Sequence, residues 1–99
     1  MTDIFTDDAV LSRSPDVLFR RVLDGVVVRA PKMTESLHLS MVGYLVWVLL
    51  AESITVRDLV SSLADFNEIP PQTIRDDITP LLKDLHVAGA LTVASVPLF

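Results

Sequence analysis

Two histidines, His38 and His86, and the neighbouring carboxylates Asp76 and Asp77 are the side chains from which proton-transfer or metal chemistry would most readily be built. Their spacing does not favour it. His38 falls in a predicted strand and His86 near a predicted helix end, each better suited to a surface or capping role than to that of a base. Asp76 and Asp77 are adjacent, and adjacent helical residues point to different sides. They suit the positive end of a helix better than they suit a shared proton. The absence of cysteine excludes disulfides, thiolate-bound zinc and iron–sulfur clusters. The three glycines, Gly25, Gly43 and Gly89, are scattered and form no phosphate-cradling loop. Neither catalysis nor a metal or cofactor is expected, and binding chemistry remains.

The elements that would position a binding surface can be read along the chain. Asp24-Gly25 is a hairpin turn signal within Val17–Ala30. A turn centred there puts Phe19, Leu23, Val26, Val28 and Ala30 on one face, assigned to the core. It also sets Arg20 directly opposite Arg29, either as two solvated cations or as an anion-binding pair. Glu35–Leu39 reads as a third short strand. Ser40 is a predicted N-cap, and Met41–Ala51 carries no charge. A helix apolar all round should be buried on nearly every side, with Trp47 in the core. Thr55-Val56-Arg57-Asp58 resembles a capping box opening a second helix that ends near Phe66. Pro71 starts a third helix, with an apolar stripe of Ile74, Ile78, Leu81, Leu82 and Leu85, a bend expected near Asp76–Pro80, and Gly89 just past its end. Ala90–Ala94 reads as a short wing strand.

The expected fold class is α+β: a small winged-helix-like domain, with an N-terminal three-stranded antiparallel sheet followed by three helices and a wing strand. Residues 1–16 read as a flexible acidic tail, 17–94 as the folded domain, and 95–99 as an apolar C-terminal tail. A chain of 99 residues, half of them hydrophobic, supports one domain with one modest core. No apolar run is long enough to span a bilayer, and the acidic N-terminus lacks the basic region of a signal peptide. A cytoplasmic setting without membrane partners is expected.

Charge bears on partners. The net charge of −5 divides into −3 over residues 1–16, +3 over residues 17–34 and −5 over residues 35–99. The acidic tail could fold back on Arg20, Arg21, Arg29 and Lys32 and compete with an acidic ligand. A winged helix can read DNA through its last helix, but Arg75 and Lys83 there are outnumbered by Asp76, Asp77 and Asp84. Such a helix suits a phosphate backbone poorly, and no nucleic-acid partner is expected. The strand Glu35–Leu39 offers another use. If it pairs on one side only, its other edge can accept an added peptide strand. Alternatively, the acidic tail or a second copy of the chain covers that edge.

The order Arg21–Val28, Leu37–Gly43, Val46–Leu50, Thr55–Val60, Ile74–Ile78, Leu81–Leu85 and Gly89–Leu91 resembles the PqqD-like family, also called the RiPP recognition element, where RiPP denotes a ribosomally synthesised and post-translationally modified peptide. Ser40 stands where members commonly have Asn, and residues 1–16 lie outside the resemblance. The resemblance implies a non-catalytic chaperone that binds the leader of a precursor peptide by strand addition. It delivers the precursor to a modifying enzyme such as a radical SAM enzyme, a cyclase or a leader peptidase. Carried onto this chain, the binding residues are Glu35, Ser36, Leu37, His38 and Leu39 on the strand. On the third helix they lie among Arg75, Ile78, Thr79, Leu82, Lys83 and His86. Arg20 and Arg29 are candidate anion contacts. The alternatives are a winged-helix DNA-binding protein and a structural subunit docking on a larger enzyme, for example through Val96–Phe99. A monomer or a homodimer is compatible with the sequence.

Overall fold

The computed structural model describes residues 4–94. Strands β1 (Val10–Arg13), β2 (Leu18–Val22), β3 (Gly25–Arg29) and β4 (Leu37–Leu39) precede helix α1 (Val42–Leu49). Strand β5 (Ile54–Thr55), helices α2 (Val56–Asn67) and α3 (Pro71–Val87) and strand β6 (Leu91–Ala94) follow. β2, β3 and β4 form one antiparallel sheet, in that order. A second small sheet has the order β5-β1-β6. The fold is α+β, with the expected three-stranded sheet, three helices and C-terminal strand.

The expected flexible tail is corrected at its core-facing end. Val10–Arg13 is the central strand of the second sheet, pairing with Ile54–Thr55 and with Leu91–Ala94. Phe5, Ala9 and Leu11 are buried. The folded unit therefore begins before residue 17. Four residues show no useful periodicity, and both partner strands are remote in sequence. Residues 1–3 and the apolar stretch 95–99 lie outside the described residues.

The hairpin turn is also corrected. Its loop is Leu23-Asp24, and Gly25 is already the first residue of β3, paired with Val22. The register moves by two residues. Arg20 then faces Val27, and Arg29 faces Leu18. The two arginines are diagonal neighbours on an exposed face and no longer an opposed pair. Leu23 is fully exposed at the turn, and Phe19 is half exposed. Gly25 is fixed by a close approach. A Cβ on it would run into the Leu39 carbonyl oxygen, and its φ is +156°. Asp24-Gly25 marked the hairpin but not the position of its loop, and the reason for the glycine is tertiary.

Helix α1 is shorter than the charge-free run and is not buried all round. Val46, Trp47 and Leu50 are buried, whereas Met41 and Val48 are exposed. The N-cap is Met41, at φ 54°, without a side-chain cap bond, so Ser40 does not play that part. The Thr55 prediction holds, since its Oγ1 accepts from the Asp58 N–H at 3.1 Å. The Val56 and Arg57 N–H groups donate at 3.0 Å to the Ala9 and Asp7 carbonyls. The first-turn donors of α2 are thus satisfied by Thr55 and by the N-terminal segment together.

Helix α3 runs uninterrupted through Pro80. The Thr79 hydroxyl donates to the Arg75 carbonyl at 2.6 Å beside that proline. The helix ends as expected at Gly89, which has φ +83°. There the Ala90 N–H reaches the Leu85 carbonyl at 2.9 Å, and the Gly89 N–H reaches that of His86 at 3.1 Å. These two bonds make a Schellman closure.

Candidate functional site

The free edge is built by β4. It is the last strand of its sheet, and its outer side pairs with no strand among the described residues. Its register is Val26 with Leu39, Val27 with His38 and Val28 with Leu37. The backbone orientation follows from the hairpin. A two-residue loop makes Val22 and Gly25 a mutually hydrogen-bonded pair, and antiparallel ladders alternate. Val26 and Val28 therefore turn their N–H and C=O groups toward β4, where Leu39 and Leu37 answer them. The N–H and C=O of His38 point away from the sheet, into the open edge.

The side chains of β4 alternate as a strand requires. Leu39 is buried and Leu37 half buried, both on the core face. His38 stands on the outer face with its Nε2 3.0 Å from Asp24 Oδ1. Glu35 and Ser36 are exposed but precede the strand rather than belonging to it.

The predicted helix positions separate. Ile78 and Leu82 are 2% and 1% exposed and belong to the core, so they cannot face a peptide. Arg75 and His86 lie on the flank that meets the chain's own N-terminal segment, with His86 still exposed. The Arg75 guanidinium donates to the Asp7 carboxylate and, at 2.9 Å, to the Phe5 carbonyl. The His86 ring meets Phe5 edge-on, with centroids 6.2 Å apart. Thr79 bonds its own helix, and Lys83 is exposed. The flank of α3 near β4 carries Leu81 instead. A Cβ on Gly43 would stand 3.5 Å from Leu81 Cδ2 and 3.7 Å from Leu39 Cβ, so the two leucines converge there. The 3.6-residue period placed Leu81 in the apolar stripe but could not tell one side of that stripe from the other.

The acidic segment folds back, but not on the basic hairpin. Asp7 pairs with Arg75 and Asp8 with Arg57, the latter at 3.0 Å. Arg21 lies over the Tyr44 ring at 5.9 Å, and Lys32 packs on Gly89. Sequence reasoning also missed Arg13. Its guanidinium stands 4.6 Å from the centroids of both Phe19 and Trp47 and donates to the Trp47 carbonyl at 2.6 Å. Burial lowers its pKa from the ordinary guanidinium value.

Among the described residues, no group of three or more His, Asp or Glu side chains is gathered as a metal site. No helix there is long and apolar enough to cross a membrane. Fold and edge together define a small α+β domain with an edge strand, β4, whose outer side is free among the described residues. The family model for coenzyme PQQ synthesis protein D (PqqD) matches residues 25–91, and the chain belongs to that family. Membership implies a small pathway protein of PQQ or related ribosomal-peptide biosynthesis. Members are non-catalytic accessory proteins that bind a precursor peptide and work with a biosynthetic enzyme. No curated protein and no solved structure matched the chain.

Proposed function

We propose that this protein is a non-catalytic peptide chaperone. It takes the leader of a ribosomally made precursor as an added strand on β4 and presents it to a modifying enzyme, in the cytoplasm where such precursors are made. The carrying observation is the outer edge of β4, which pairs with no strand among the described residues and into which the ladder register turns the His38 N–H and C=O. Main-chain bonds to His38 supply affinity, and side chains opposite Leu37 and Leu39 supply selectivity. The contact set is therefore Leu37, His38 and Leu39 with the Leu81 flank of α3, and Glu35 and Ser36 at the approach. Arg75, Thr79, Lys83 and His86 fall outside it, as do Arg20 and Arg29.

The test is titration of a labelled leader from the precursor encoded beside this gene. Saturable binding at micromolar concentration is expected. No binding at tens of micromolar would defeat the proposal.

A further inference from the structure

The charge of the occupant follows from what flanks the edge, given the strand addition proposed above. Asp77, Leu81 and Asp84 recur four and three residues apart, so they share one side of α3. Leu81 converges with Leu39 over Gly43, and the Lys32 stem lies 3.7 Å from a Cβ position on Gly89. The second half of α3 thus runs from the Leu39 end of β4 toward the loop before Leu37. Asp77 and Asp84 are exposed, and their carboxylates make no hydrogen bond or ion pair with any described residue. Glu35 adds a third exposed carboxylate at the approach to the strand. An apolar contact bracketed by unpaired carboxylates is complementary to a cationic strand.

We propose that the added strand is basic. It carries an apolar side chain opposite Leu39, against Leu81, and a lysine or arginine two positions to either side, paired with Asp84 and Asp77. The lengths agree. Core-facing positions four residues apart in an extended chain span about 13 Å. Asp77 and Asp84 are separated by about 10 Å along the helix axis. Long lysine and arginine stems absorb the difference.

Three labelled peptides, centred on Lys-Thr-Leu-Thr-Lys, Gln-Thr-Leu-Thr-Gln and Glu-Thr-Leu-Thr-Glu, test this on the full chain by fluorescence anisotropy. The lysine peptide should bind tightest and the glutamate peptide weakest, with the gap narrowing as salt is raised. Asp77→Asn with Asp84→Asn should cost the lysine peptide roughly five- to tenfold and leave the glutamine peptide unchanged. Equal affinity for the lysine and glutamate peptides, or a preference that survives the double substitution, overturns the charge assignment alone. Binding that is indifferent to His38→Pro overturns strand addition, and with it this inference. So does the failure of all three peptides to bind.

Discussion

The Leu39 carbonyl oxygen occupies the space that a Cβ on Gly25 would need. This contact locks the start of β3 against the end of β4, and so holds the open edge in register. Gly25→Ala should cost about 3 kcal/mol, because backbone on both sides must move to admit one methyl group. Urea denaturation followed by circular dichroism measures it. A loss below about 1 kcal/mol would show that the Leu39 carbonyl yields easily.

Proline substitution separates the two sides of β4. The Leu37 N–H is used by β3, whereas that of His38 faces outward. His38→Pro should therefore leave the fold nearly intact while removing most peptide affinity. Leu37→Pro should disrupt the sheet itself. Thermal melts and peptide titrations of both variants read the difference. A lower melting temperature for His38→Pro than for Leu37→Pro would mean that the ladder phase is the reverse of that inferred.

The N-terminal segment is structural in its buried part and dispensable at its surface. Phe5→Ala should destabilise by about 3 kcal/mol, as a buried aromatic side chain is lost. Asp8→Asn should cost no more than about 0.5 kcal/mol, since both partners of that pair are largely exposed. Chemical denaturation of the two variants tests the ranking, and equal effects would contradict it.

Arg13 joins β1 to the end of α1: its guanidinium lies against both the Phe19 and Trp47 rings, which meet edge-on 5.6 Å apart, and caps the Trp47 carbonyl. Arg13→Lys should lose about 1–2 kcal/mol, because an ammonium cannot match the guanidinium's contact with both rings or donate to the carbonyl with the same fork. The fluorescence of Trp47, the only tryptophan, should shift as the guanidinium contact is lost. Unchanged stability and emission would reduce Arg13 to a solvated surface charge.

Sequence alone reached much of what is encoded locally, though not the cap of α1 or the exact hairpin loop. Thr55 as a cap, Pro71 at a helix start, Gly89 past a helix end and the apolar stripe of α3 each depend on neighbours within a turn or two. The order of the three-stranded sheet, the three helices and the C-terminal strand followed, and so did the likeness to the PqqD-like family. Tertiary structure decided what local patterns do not contain. Val10–Arg13 is a strand because residues 54–55 and 91–94 come to it from far along the chain. Gly25 is required by a carbonyl fourteen residues away. Arg75 and His86 meet Phe5 and Asp7, whereas Leu81 converges with Leu39 at Gly43, and only these contacts distinguish the two flanks. A helical stripe has two shoulders that are equivalent in sequence, and only packing against the rest of the chain makes them different.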